Sequence, residues 1–311
     1  MKSIVIYHSL SGNTQKIAEA IHRGMNKAGE PCDIAQVKDV TTPDLAKYNL
    51  IGLGSPVLHL RELRNITGFI ENTLKHVDGK HGFAFCTHGA FPAHYLSRVV
   101  PAMIQRGLTV IGWNDWFCGA WHPGCPKPYF TDGHPDAIDL KEAEDFGGEM
   151  VNRSKRIYKG ETNLVPKLPT GSEYDEIYDP YPQPPIEILK EFQKAQARMK
   201  LKVNREKCLY PKCTHCIDIC PMHSINFTVD PPIFNIDCDR CWLCEQTCPR
   251  GAIEVDWAEY KKTHLPMARE LEKSLDLFEK RGRFRRLVKP EEIGWGTMVC
   301  DLKKPRFKAV N

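Results

Sequence analysis

No stretch of this chain approaches the ~18 consecutive apolar residues that a membrane-spanning helix requires, which argues against a membrane partner. The first residues, MKSIVIY, lack a charged leader followed by an apolar stretch and a cleavage site; they read as a strand, and the expected location is cytoplasmic. The nucleoside-triphosphate loop G-x-x-x-x-G-K-[ST] is missing, and so is the dinucleotide fingerprint G-x-G-x-x-G. No spare domain remains for a nicotinamide cofactor, and no hydrolytic triad stands out, so the catalytic residues are unassigned. Net charge is small, +4, too little to imply a nucleic-acid or membrane partner.

What remains is an ordinary globular composition, 41% hydrophobic and 26% charged, over 311 residues, a length that suggests two domains. Cysteine is abundant: 13 in all, eight of them between Cys208 and Cys248. Clustering of that kind in a cytosolic chain argues for metal ligation or redox chemistry rather than disulfides. Cys32, Cys86, Cys118, Cys125 and Cys300 are scattered and read as small hydrophobes.

Residues 1–160 alternate short apolar runs with amphipathic stretches, the pattern of a parallel sheet covered by helices. Strands are expected at 3–7, 32–37, 50–55, 82–87 and 108–113, and helices at 14–28, 62–72, 95–106 and 140–159. Residues 161–203 form a proline-rich linker and a short helix, with Ile188, Phe192, Ala195 and Met199 on the face that docks onto one of the domains. The cysteine-rich segment covers 204–256. Residues 257–311 form a basic extension with a helix over 257–280 and the run RGRFRR.

The stretch YHSLSGNTQKIA, from Tyr7 to Ala18, places small residues and hydroxyls where a strand gives way to a helix. Ser9, Leu10, Ser11, Gly12, Asn13 and Thr14 offer side-chain and backbone donors at a helix N-terminus. A phosphate monoester can be satisfied there without a lysine; the alternative is a Ser/Gly turn that merely caps a helix. The spacing S-x-S-G-N-T resembles the phosphate loop of flavodoxins. Two further loops on the same sheet edge resemble those that flank the flavin ring: Ser55, Pro56, Val57 and Leu58 after the third strand, and Thr87, His88, Gly89 and Ala90 after the fourth. The resemblance implies a flavodoxin-like, doubly wound, five-stranded parallel α/β sheet holding FMN at these residues. Neither loop carries the Trp/Tyr pair that many flavodoxins stack on the ring, which implies a more open site. Trp113, Trp116 and Trp121 lie near the fifth strand, and most of them are assigned to core packing. His59, His88 and His94 come from the same edge as proton-donor candidates, with a surface or capping role as the alternative.

CDRCWLCEQTCP, from Cys238, has the spacing C-x₂-C-x₂-C-x₃-C-P, and CLYPKCTHCIDICP, from Cys208, repeats it with a longer first gap. The halves align at an offset of 28 residues, Cys213 on Cys241 and Cys220 on Cys248. This resembles bacterial-type ferredoxins, whose small α+β domain carries two [4Fe–4S] clusters. Carried over, one cluster falls to Cys208, Cys213, Cys216 and Cys248, the other to Cys238, Cys241, Cys244 and Cys220. The alternative is a structural zinc pair, although Cys₄ zinc sites usually show two C-x₂-C knuckles apart from one another.

Together the halves resemble the flavodoxin–ferredoxin fusion proteins of anaerobic bacteria and archaea. That implies electron transfer between two [4Fe–4S] clusters and FMN, serving a redox partner protein, a corrinoid-type protein or a small-molecule acceptor. A head-to-tail homodimer is one way to bring FMN and clusters together across a long linker. Residues 257–311 carry 14 Lys and Arg against 8 Asp and Glu, whereas 204–256 carry 5 against 8. The tail therefore either steers a partner or folds back over the acidic segment. A redox sensor that binds nucleic acid through this tail is the alternative function, weakened by the absence of any nucleic-acid-binding fold around RGRFRR.

Overall fold

A computed structural model describes residues 1–29, 31–168, 185–230 and 232–310. They fall into two compact units. The first is drawn from Met1–Cys118 and Gly133–Pro180, the second from Gly119–Asp132 and Tyr181–Asn311. The expected first domain, 1–160, is thus interrupted, because Gly119–Asp132 groups with the second unit. Most of the proline-rich linker lies outside the described residues.

Unit 1 is a five-stranded parallel sheet, β1 (Ser3–Tyr7), β2 (Cys32–Gln36), β3 (Leu50–Pro56), β4 (His81–His88) and β5 (Thr109–Phe117), in the order β2-β1-β3-β4-β5. Helices α1 (Asn13–Lys27), α2 (Arg64–Asn72), α3 (Tyr95–Gln105) and α4 (Ala137–Tyr158) alternate with the strands in a doubly wound, flavodoxin-like arrangement. Both faces are covered, so β1 and β4 are buried along their whole length. Side chains alternate between two cores: Ile4 and Ile6 face the core with α2 and α3, while Val5 and Tyr7 face the one with α1 and α4.

The alternation explains the glycines of LIGLGS. Gly52 and Gly54 face the α1/α4 side, where a Cβ would stand 2.2 Å from the ring of Phe83 or Phe85. Those two phenylalanines fill the space that the glycines leave.

In unit 2, α5 (Ile186–Arg198) packs against α8 (Trp257–Lys280), burying Phe192, Tyr260 and Met267 with Ile188, Leu189 and Met199. Between them in sequence lie β6 (Lys202–Val203), α6 (His215–Asp218), β7 (Ile225–Asn226), β8 (Ile233–Phe234), α7 (Leu243–Thr247) and β9 (Ile253–Glu254). Antiparallel pairs β6–β9 and β7–β8 frame this segment. No helix among the described residues is long and apolar enough to cross a membrane.

Candidate functional site

Strand order reverses between β1 and β3, so a crevice opens outside their carboxyl ends. The loop Ser9–Gly12 leaves β1 there. Gly12 adopts φ 92°, a left-handed conformation that glycine tolerates, and starts α1 without a side-chain cap. The Gly12 N–H donates to Ser9 Oγ at 3.1 Å, which curls the loop and leaves the serine hydroxyl proton to donate outward.

The three loops named from the sequence meet at this edge. The hydroxyls of Thr14 and Thr87 lie 2.8 Å apart in a buried pair that ties α1 to the end of β4. Val57 N–H donates to Thr87 O at 2.8 Å, and His94 N–H to Leu60 O at 3.1 Å, joining the second loop to the third. Leu58 and Arg61 close a tight turn through His59 and Leu60, both at positive φ. Ser9, Thr14, Ser55, Thr87, His88 and Ala90 are buried. Leu10, Ser11, Gly12, Asn13, Pro56, Val57, Leu58 and Gly89 are partly exposed around them.

Two groups at this edge escape a motif search. His8, at the end of β1, has a buried Nε2 without a hydrogen-bond partner, and burial pushes its imidazole down to about 4. Asp115 lies on β5 beyond the strand end expected from the sequence; its Oδ2 stands 2.8 Å from His88 Nε2. Of the three loop histidines, His88 is therefore buried and oriented, His94 begins α3, and His59 occupies a turn. Trp116 is core, 3% exposed, as expected, whereas Trp121 belongs to unit 2, with the Lys127 ammonium 4.3 Å from its ring centre. A separate groove at the far end of α1, lined by Lys27, Glu144 and Arg153, is a surface of ion-paired charges with no link to these loops.

In unit 2 the 28-residue repeat is written into the backbone. β7 maps onto β9 and the start of α6 onto that of α7. Ser224 N–H donates to Cys220 Sγ at 3.3 Å, and Ala252 N–H to Cys248 Sγ at 3.3 Å. His223 and Gly251, 28 residues apart, both have positive φ, and each donates its N–H to the carbonyl three residues before it. The structure gathers Cys208, Cys213, Cys216 and Cys248 around one cavity with Phe227 and Ile253. Burial, then the neighbouring charges of Cys248, Cys208 and Cys213, pushes the Cys216 thiol up to about 12. Cys220, Cys238, Cys241 and Cys244 likewise influence one another, and burial is again the larger cause of the raised Cys241 and Cys244 thiols.

Among the described residues, the set of three or more ligand atoms lying within 4.8 Å of one another is His122, Cys125 and His264, and no three of the eight cysteines join it. Thiolates sharing one tetrahedral zinc ion stand about 4 Å apart.

The extension beyond residue 256 folds onto this repeat. Glu245, fully buried beside Cys244, accepts a hydrogen bond from Arg306 at 2.6 Å and pairs with Lys304 at 2.5 Å. Arg286, the last residue of RGRFRR, is held by Asp276 and Glu279 of α8. Neither contact was visible as a sequence motif.

Residues 4–97 match the family described as a flavodoxin domain. The flavodoxin of Clostridium beijerinckii is 29% identical over 150 residues, covering 48% of this chain and 98% of the relative. An NAD(P)H dehydrogenase (quinone) of Rhodopseudomonas palustris (strain HaA2) is 26% identical over 147 residues, 38% of this chain and 73% of that one. Among solved structures, a flavodoxin from the domain Archaea aligns with TM-score 0.41 and 26% identity, covering 50% of this chain and 99% of the other. The N-terminal unit is flavodoxin-like.

Proposed function

We propose that this chain is an electron-transfer flavo-iron–sulfur protein: unit 1 holds FMN, and the cysteine repeat holds two [4Fe–4S] clusters. The observation that carries the reading is the meeting of three loops at the switch point, locked by Thr14–Thr87 and Val57–Thr87. Ser9, Ser11, Asn13 and Thr14 with the α1 amides are assigned to the phosphate; Ser55–Leu58 and Thr87–Ala90 are assigned to the ring. When bound, FMN exchanges one or two electrons and the clusters one each, so the pair interconverts one- and two-electron chemistry.

The chain's own residues supply position and electrostatics. Thr87 fixes the first loop against the third. Asp115 accepts a hydrogen bond from His88 Nε2 and so orients that imidazole at the edge, where it would lie on the side assigned to the flavin. In unit 2, buried thiols whose neighbours raise them further are held as thiolates only by cationic centres. The N–H groups of Ser224, Ala252 and Arg240 point at the sulfurs of Cys220, Cys248 and Cys238 and would lower the charge borne by those thiolates were a cluster held there. The twofold C-x₂-C-x₃-C-P spacing favours clusters over structural zinc knuckles. Relatives named flavodoxin and NAD(P)H dehydrogenase (quinone) support redox use of the N-terminal unit. Internal pairing of Arg286, Lys304 and Arg306 weighs against the nucleic-acid-binding alternative.

The test is anaerobic reduction of the full chain by a low-potential one-electron donor, following flavin absorbance. A Cys213→Ala/Cys216→Ala variant that retains FMN is expected to reduce its flavin at least tenfold more slowly. Equal rates in the two proteins would remove the clusters from the route.

A further inference from the structure

We propose that His122, Cys125 and His264 form a separate mononuclear zinc site within unit 2, in addition to whatever the eight clustered cysteines hold. One ligand atom from each lies within 4.8 Å of the others. Tetrahedral zinc with two nitrogens at about 2.0 Å and a sulfur at about 2.3 Å brings its ligands to within about 4 Å of one another. Closing the remaining gap requires rotation of the side chains, the two rings lying nearly parallel at 15°. Two imidazoles and a thiol are a borderline-soft donor set, suited to zinc and not to calcium or magnesium.

The backbone is built to hold these groups together. His122-Pro-Gly-Cys125 is a tight turn in which Cys125 N–H donates to His122 O at 2.8 Å. Gly124 lets the turn press against α8: a Cβ there would stand 2.3 Å from His264 Cδ2 and 2.7 Å from Tyr260 Cε1. On its other side the turn is pinned to the extension, because Val299 N–H donates to Cys125 O and Cys300 N–H to Pro123 O, both at 2.9 Å. Cys125 and His264 are buried, 5% and 6% exposed.

The two imidazoles lie nearly parallel, centroids 4.9 Å apart and 15° between planes, and Tyr260 stacks on His264 at 5.0 Å. The Tyr260 hydroxyl stands 3.3 Å from His122 Nε2 and 3.5 Å from its Nδ1, and Gly124 N–H donates to that Nδ1 at 3.4 Å, so whichever nitrogen takes the ion gives up such a contact. Packing alone accounts for the aromatic stack; it does not account for converging two imidazoles and a thiol. Binding releases the Cys125 thiol proton to solvent and leaves a fourth position to water. The ion staples Gly119–Asp132 to α8.

The experiment is zinc analysis of the full chain, purified anaerobically, exposed to Zn²⁺ and dialysed against a weak chelator, followed by zinc-edge X-ray absorption. The expected result is about one zinc per chain with nitrogen at about 2.0 Å and one sulfur at about 2.3 Å. Cys125→Ser and His264→Gln each lose that zinc with iron content unchanged, whereas Cys32→Ser, in unit 1, keeps it. No retained zinc, or an all-sulfur shell, overturns the site. The shell is read on the unaltered chain, so the outcome stands even if a variant fails to fold.

Discussion

His8 carries a cost that depends on pH. Its folded-state imidazole titrates at about 4, below the ~6.5 of the unfolded chain. Acidification therefore protonates the unfolded chain first, and stability falls as pH drops from about 6.5 towards 4. The loss is bounded on the order of 3 kcal/mol. His8→Gln, which keeps polarity without a charge, is expected to flatten that fall, measured as urea unfolding at pH 7 and pH 4.5; equal pH dependence would show that His8 is not the group responsible. Thr87 acts differently. Thr87→Val strands the buried Thr14 hydroxyl, costing about 1–2 kcal/mol, and is expected to weaken FMN binding in a titration of flavin-free protein. Unchanged affinity would mean that the Thr14–Thr87 bond does not shape the loop.

At the scale of elements, the sheet was legible because strands buried on both faces leave short apolar runs between helices. SIVIY is observed at the predicted bounds, and the other strands begin within a residue of theirs. The strand expected over 108–113 runs on in β5, where Asn114 and Asp115 are held by pairing with Phe85 and Cys86 of β4. That miss hid the partner of His88. The loop residues 9–14 were legible through their spacing, whereas His8 had no motif and emerged only from its burial. Gly52→Ala tests the packing of this sheet: its methyl group collides with Phe83, and a loss of about 1–3 kcal/mol is expected in urea unfolding. A neutral result would show that Phe83 has room to move.

For the whole molecule, the division into units follows contacts that are remote in sequence. Gly119–Asp132 groups with unit 2 because its backbone pairs with the extension: Lys127 N–H donates to Thr297 O at 2.9 Å, and Gly294 N–H to Pro128 O at 3.0 Å. No local pattern announces such pairing, which is why a boundary at 160 looked natural. The charge asymmetry leaves open whether the extension steers a partner or folds back over the cysteine repeat, and nothing in the sequence marks its anchor at Glu245. Glu245→Gln leaves Arg306 and Lys304 without a buried counter-charge, and a loss of about 3–5 kcal/mol is expected. Calorimetry of the variant checks it, together with faster proteolysis of the extension. An unchanged unfolding profile would reduce the anchor to a surface contact.

The central claim is that one chain carries flavin and two iron–sulfur clusters. Anaerobic purification with iron, sulfide and flavin quantified, then EPR during stepwise reduction, tests it most directly. About eight irons and one FMN per chain, with interacting reduced-cluster signals, is the predicted result. Zinc in place of iron at the cysteine repeat, or a chain that binds no flavin under these conditions, would contradict it.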